Sequence, residues 1–453
     1  MKLSFYTGVG TVTGANYLLD TNGVRILVDC GMIQGEKFAV DLNRDPFLYD
    51  PTSVQFLLVT HAHIDHVGRI GKLVKDGFKG TILSTPETKA LAELLMEDAV
   101  HLLENEAKNS GVLPIYDLDD VKRALTMWQT VEYHTPHEIT PEIKLYIWDA
   151  GHILGSAMHE ITTEGKKIVF TGDMGNSPSP LLKDTEWITD ADYVVMESVY
   201  GDRNHEPKEL RTAKLKAVIE ETIQKKKTLL IPAFSLERTQ VILYEMNELF
   251  ENHVIKQMIP VFIDSPLASK ITEVYKEYSK NFNDKIKADM KGGDDVFHFP
   301  RLKFTVEKKE SQAIQHVPNP KIIIAGSGMS TGGRIVAHEA HYASNPNATI
   351  LMVGYQTPGS LGRKLQEGAK EVIIYGQNIE VRAKVDFIAG YSSHKDSDHL
   401  VEWVGKAAES GRLKKVFCVM GEPKSAMFLA QRVNDEIKGG LAEFPQTNIE
   451  YDL

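Results

Sequence analysis

Residues 61–66 read His61-Ala62-His63-Ile64-Asp65-His66, three imidazoles and one carboxylate within six residues, directly after the apolar run 55–60. Imidazole nitrogen and carboxylate oxygen are borderline donors suited to Zn²⁺, and in some sites to Fe or Mn. At extended spacing His61 and His63 point the same way, so both can hold one ion. Asp65 and His66 follow where the chain turns and can reach a second. This density of metal-type side chains after a strand sets the run apart from a polar turn with chance histidines. Further along, His152 lies in Asp149-Ala150-Gly151-His152 and Asp173 in Thr171-Gly172-Asp173-Met174-Gly175. Both follow apolar runs, and both are flanked by glycines that permit tight backbone at a site. Taken singly, each reads more readily as a turn residue. Asp29, closing the run 26–28, is open in the same way: it could orient a metal ligand from behind or cap the next turn.

Strand ends must carry these groups. Residues 1–60 read as short strands joined by Gly-rich turns, with Asn22-Gly23 as a hairpin turn. A helix is predicted over 86–108, where Ala, Leu, Glu and Met recur at helical spacing. Strands return at 143–148, 167–171 and 193–196. From about residue 203 the pattern changes to alternating helix and strand. Helices are expected at 208–225, 236–251 and 269–281. Strands are expected at 228–232, 261–264, 321–325, 349–353 and 371–374, all in a parallel sheet. After about residue 386 a short strand–helix pattern resumes.

At 453 residues the chain has room for two to four domains or for one with a large insertion. Its 42% hydrophobic and 25% charged residues exclude a disordered or fibrous chain. No apolar run approaches the ~18 residues of a membrane span, and the first twenty residues have no apolar core of a signal peptide. Two cysteines, Cys30 and Cys418, make no disulfide framework, so a cytoplasmic protein is expected. The net charge of −11 argues mildly against a nucleic-acid partner, but its distribution does not. Residues 203–385 hold 27 Lys+Arg against 21 Asp+Glu, while the rest holds 24 against 41. The middle of the chain either faces an anionic partner or carries a charge-compensated surface.

With His152 and Asp173 downstream, the run 61–66 resembles the metallo-β-lactamase superfamily, in its hydrolytic His-x-His-x-Asp-His form. Later segments resemble the β-CASP nuclease branch of that superfamily: 196–205 (MESVYGDRNH), 231–240 (IPAFSLERTQ), 326–334 (GSGMSTGGR), 354–363 (GYQTPGSLGR) and 390–396 (GYSSHKD). They span nearly the whole chain in family order, and the bacterial and archaeal RNA-processing members are the nearest match. The resemblance implies an α/β protein, an αββα metallo-β-lactamase sandwich with an inserted α/β β-CASP domain. The expected boundaries are 1–202, the insertion 203–385, and 386–453 completing the metal fold. The N-terminal KH domains of some archaeal members are not expected.

What the resemblance implies for the site is specific. Two Zn²⁺ ions, with Mn²⁺ or Fe as alternatives, are expected on His61, His63, Asp65, His66, His152 and Asp173. Asp65 would hold or accept the proton of the attacking water. His394 would be the leaving-group acid, with Glu197 as its acidic partner. Ser330, Ser392 and the amides of Gly332 and Gly333 could hold phosphates, and Arg238, Arg334 and Arg363 suit phosphate geometry. One departure stands out: Met420 in Val419-Met420-Gly421-Glu422 occupies the place of a family histidine that completes the second metal position. A thioether is a poor Zn²⁺ ligand, and Met420 reads as core. Cys418, two residues earlier, is expected to point the same way. The function so implied is metal-dependent hydrolysis of single-stranded RNA, by a monomer or a homodimer. Two rival readings are a catalytically silent RNA-binding subunit and a small-molecule ester hydrolase on the same metal fold.

Overall fold

The computed structural model describes residues 1–35, 39–357, 359–437 and 442–453; Pro358, within the segment 354–363, lies outside them. The chain divides into two compact units, Met1–Asn204 with Ser393–Leu453, and His205–Ser392.

The first unit is built on two seven-stranded sheets. In the first sheet, strand Asn16–Thr21 turns back on Val24–Val28 through Asn22 and Gly23, with φ of 49° and 73°. Two successive positive φ values define the hairpin turn whose twist matches the strands. Val24–Val28 then pairs in parallel with Phe56–Leu58, and that strand with Thr81–Ser84. The other edge is closed by the chain terminus, since Lys2–Thr7 pairs antiparallel with Glu450–Asp452. In the second sheet, Tyr193–Glu197 lies between Lys166–Phe170 and Lys415–Val419, parallel to both. Inward side chains of both sheets form one core, with Leu3, Phe5, Ile26 and Leu58 meeting Ile147, Ile161, Phe170 and Phe417. The second sheet buries its other face under helices Ser397–Ala407 and Pro423–Glu436, through Leu400, Trp403, Leu429 and Val433. The predicted helix runs Pro86–Ser110, with Thr85 accepting a hydrogen bond from the Thr88 amide as its N-cap. This is the αββα layering expected from the metal-motif resemblance.

The second unit holds a six-stranded parallel sheet. Its central strands Thr228–Pro232 and Lys321–Ala325 are buried along their whole length, which is why they read as unbroken apolar runs. Residues 371–374 do not join this sheet, contrary to the sequence pattern. Glu371–Ile374 forms a separate hairpin with Gln377–Glu380. The turn residues Tyr375 and Gly376, at φ 52° and 74°, reverse the chain at once. The edge of the parallel sheet is taken instead by Lys384–Phe387, beside Ala348–Met352.

Candidate metal centre

The site lies at the carboxyl ends of adjacent strands, where loops converge. Asp29 follows Val24–Val28 in a left-handed conformation, φ 59°, and its amide donates to the Leu58 carbonyl at 2.9 Å. Its carboxylate accepts from the Thr60 amide and hydroxyl, both at 2.8 Å, and lies 2.7 Å from His66 Nδ1. Asp29 thus clamps the entrance of the histidine run and fixes the His66 ring from behind. The short helix Ile64–Val67 is cradled by backbone, with Ala15 N on Asp65 O, Cys30 N on His66 O and Met32 N on Ile64 O. This approach requires Gly31: a Cβ there would lie 1.5 Å from the Asp65 carbonyl oxygen.

Six of the expected residues come together. His61 Nε2 and His152 Nε2 lie 3.1 and 3.3 Å from His63 Nδ1. Asp173 Oδ2 lies 3.4 Å from His61 Nε2 and 3.6 Å from His152 Nε2. Ligands about 2.1 Å from a tetrahedral ion are separated by about 3.4 Å, so these four atoms have the spacing of a coordination shell. Asp65, His66 and the other Asp173 oxygen form a second group. In it His66 Nε2 lies 3.9 Å from Asp65 Oδ2 and 3.5 Å from Asp173 Oδ1. Both His66 Nε2 and Asp173 Oδ1 are buried polar atoms with no hydrogen-bond partner. Buried donors and acceptors are normally satisfied, and a cation held between these two would satisfy both.

The electrostatics of the first group suit metal ligation. Burial lowers the pKa of His61, His63 and His152, well below the ordinary value for the latter two, so their lone pairs are available. Burial acts against charge on Asp173 too, but His66 and His61 outweigh it and hold the carboxyl well below the usual range. Burial raises Asp65. For His66, burial is outweighed by Asp173 and Asp29, which push the ring well above its ordinary value.

A second pair sits beside the first group. His394 Nδ1 is 3.1 Å from Glu197 Oε2 and 3.9 Å from Asp173 Oδ2. Segment 393–395 is laid against the Asp173 loop by Asn176 N on Ser393 O and Lys395 N on Met174 O, both 2.8 Å. Glu197 ends its strand and accepts from the Met174 amide at 2.6 Å, so it ties the same loop to the imidazole. Burial works against the charged ring, but Glu197, then Asp173 and Asp65, raise the His394 pKa to about 9.

Two orienting groups escaped the sequence reading. The Thr60 hydroxyl lies 3.0 Å from His61 Nδ1, and the Ser393 carbonyl 3.2 Å from His152 Nδ1. Thr60 stood directly before the motif and could have been noticed; a backbone carbonyl 241 residues away leaves no signal.

Cys418 does not point with Met420. Cys418 packs under the outer helices with Met196, whereas Met420 lies in the core between the sheets with Phe417 and Val419. The strand ends at Val419 and Met420 is left-handed, φ 45°, which breaks the alternation. Met420 lines a cavity of about 10 Å³ together with Asp29, His66 and Glu197.

The remaining expected residues belong to the other unit. Ser330 is buried and its hydroxyl donates to Glu339 at 2.6 Å. Arg334 is held by Asp264 at 2.7 Å and by the carbonyls of Thr305 and Val306. Arg238 is buried with its guanidinium 5.7 Å from the Tyr391 ring centroid, and Arg363 pairs with Glu367 at 2.6 Å. Ser392 is buried. Gly332 and Gly333 open the helix Gly333–Tyr342, which has no side-chain cap.

A two-sheet sandwich with paired His/Asp groups at one edge defines a metallo-β-lactamase-type protein, and residues 18–200 match the metallo-beta-lactamase superfamily domain. Residues 239–365 match the Beta-Casp domain, and 378–443 the Zn-dependent metallo-hydrolase RNA specificity domain. The chain is 34% identical to ribonuclease TTHA0252 of Thermus thermophilus, over 89% of its own length and 90% of that protein. It is 32% identical to transcription termination factor FttA of Methanosarcina mazei, over 97% of this chain and 69% of that one. The chain therefore belongs to the β-CASP branch of the metallo-β-lactamase superfamily. A crystal structure of a protein of unknown function from Enterococcus faecalis V583 shares the fold, with a TM-score of 0.56, 11% identity, and coverage of 100% of this chain and 99% of that one.

Proposed function

We propose that this chain is a metal-dependent ribonuclease that hydrolyses phosphodiester bonds of single-stranded RNA in the cytoplasm. One observation carries the reading: four ligand atoms at coordination spacing stand next to the His394–Glu197 pair. His61, His63, His152 and Asp173 would hold one ion, and Asp65, His66 and Asp173 a second, with zinc the best match to the donor set. Such ions supply Lewis-acid polarisation of a phosphoryl oxygen and a water acidic enough to attack near neutral pH.

The protein's own groups do the rest. Asp65, on the first turn after the histidine pair, takes the proton of the attacking water. His394 gives a proton to the departing alkoxide. With Nδ1 committed to Glu197, the proton delivered is the one on Nε2. Glu197 keeps the imidazolium charged and aimed, as a carboxylate does for a catalytic histidine. Asp29 positions His66. The uncapped amides at Gly332 and Gly333 are the best-placed phosphate cradle of the second unit, with Ser392, Arg238 and Arg363 as further contacts; Ser330 and Arg334 shape that loop through Glu339 and Asp264. A homodimer is kept within this reading, to be measured by sedimentation.

The test is cleavage of a 5′-labelled single-stranded RNA alongside metal content. Chelation that removes the metal should abolish cleavage, and adding it back should restore it. Full activity after confirmed metal loss would overturn the mechanism, and metal binding without RNA cleavage would favour a silent RNA-binding subunit.

A further inference from the structure

The outer face of the second sheet carries a group of rings that no step above uses. Helices Ser397–Ala407 and Pro423–Glu436 cover strands near one end of this sheet, which runs out at the other end through Ile143–Asp149 to the edge strand His137–Thr140. Along Ile143–Asp149, Ile143, Leu145 and Ile147 point into the core, while Lys144, Tyr146 and Trp148 point outward. The Tyr146 and Trp148 ring centroids are 4.9 Å apart. His134, exposed and left-handed at φ 58°, adds a third ring 6.1 and 5.9 Å from them. Tyr146 and Trp148 are only half-buried.

The rim of this platform is acidic. Glu160 stands opposite Tyr146 in register and accepts from Trp148 Nε1 at 3.1 Å. Glu186 lies 3.2 Å from His134 Nε2. Exposed Glu138 is the register partner of Lys144. With Asp190, which shares Lys167 with Glu160 and also meets Arg412 at 3.7 Å, these four carboxylates outnumber Lys144, Lys167 and Arg412.

Polyanionic RNA is repelled by such a rim, and a purely apolar partner would strip water from its carboxylates. A guanidinium is complementary to both parts, since it stacks on aromatic faces and forks onto carboxylates. We propose that the Tyr146–Trp148–His134 face docks an arginine-rich segment of a partner protein.

An octa-arginine peptide is the probe, titrated by calorimetry at low and moderate salt. Binding to the wild type should weaken as salt rises. Tyr146→Ala and Glu138→Lys should each weaken it about fivefold or more, the range of a partly desolvated cation–π contact. Both variants should cleave RNA at the wild-type rate, which also shows that they fold. Binding of a U-rich RNA, measured with no peptide present and with metal removed, should be the same in wild type and Tyr146→Ala. Equal affinity in wild type and Tyr146→Ala would overturn the proposal, since the peptide would then be held by diffuse charge alone. RNA binding that is weakened in Tyr146→Ala would overturn the partner class.

Discussion

Two buried aspartates, one in each unit, gather histidines in opposite ways. Asp264 accepts from Arg334, His338, Thr305 and Ser311 at 2.5–2.8 Å, so both its oxygens are saturated by donors of the chain itself. Asp173 is as deeply buried, yet one oxygen has no hydrogen-bond partner and the other faces imidazoles at 3.4 and 3.6 Å. The first is a finished network that fastens the first turn of the helix bearing Arg334. The second has the spacing of a group that could hold a cation. A histidine beside a buried carboxylate is thus no mark of a metal site by itself; the spacing and the unmet valence are.

The largest effect should come from Asp173→Ala, which removes the residue shared by both metal groups. Cleavage is expected to vanish and metal stoichiometry to collapse, measured by mass spectrometry of the native protein. His394→Ala and Glu197→Gln should retain metal while losing about 10²–10⁴-fold in rate, with the double variant far from additive. Wild-type rates in His394→Ala would refute the leaving-group role.

Asp264→Ala should leave metal stoichiometry intact but destabilise the protein by about 3–5 kcal/mol, because Arg334 and His338 lose their buried partner. The pH dependence sharpens the contrast. Despite burial, its four donors hold Asp264 down to about 2, below the ~3.9 of an unfolded aspartate. Its contribution is therefore complete above about pH 4 and lost as the pH falls toward 2. The stability gap between wild type and Asp264→Asn, followed by urea unfolding, should close across that window; a gap independent of pH would refute the assignment. The smallest effect concerns Met420→His. The second group has one imidazole where the first has three, so its ion should be the weaker held. An added imidazole at 420 should lower the metal concentration needed for full occupancy, at a cost of about 1–3 kcal/mol in stability. Equal, tight sites in the wild type would mean that another residue supplies the ligand.

How much was legible depended on how local each feature was. His61, His63, Asp65 and His66 declare themselves within six residues, and the hairpin at Asn22-Gly23 follows from its two turn residues. Glu197 and His394 stand 197 residues apart and meet only because the second sheet and the segment at 393–395 close on the Asp173 loop. Family likeness, not spacing, pointed to that pair. Periodicity failed where backbone turned left-handed: Met420 swings away from Cys418, and Tyr375 with Gly376 turns 371–374 into a hairpin. Ser330 and Arg334 looked available because their buried partners, Glu339 and Asp264, lie 9 and 70 residues away.

The pairing of Lys2–Thr7 with Glu450–Asp452 sets a timetable. Every metal-type ligand has been synthesised by residue 173, but His394 comes about 220 residues later and the closing strand later still. At 5–20 residues per second that is roughly 10–40 s in which a growing chain would have its proposed ligands but not its proposed acid. A nuclease arranged in this way is expected to stay silent while still tethered to the ribosome and its own messenger. Stalled nascent chains ending before and after residue 394 plus the length of the exit tunnel would show it, with cleavage confined to the longer set.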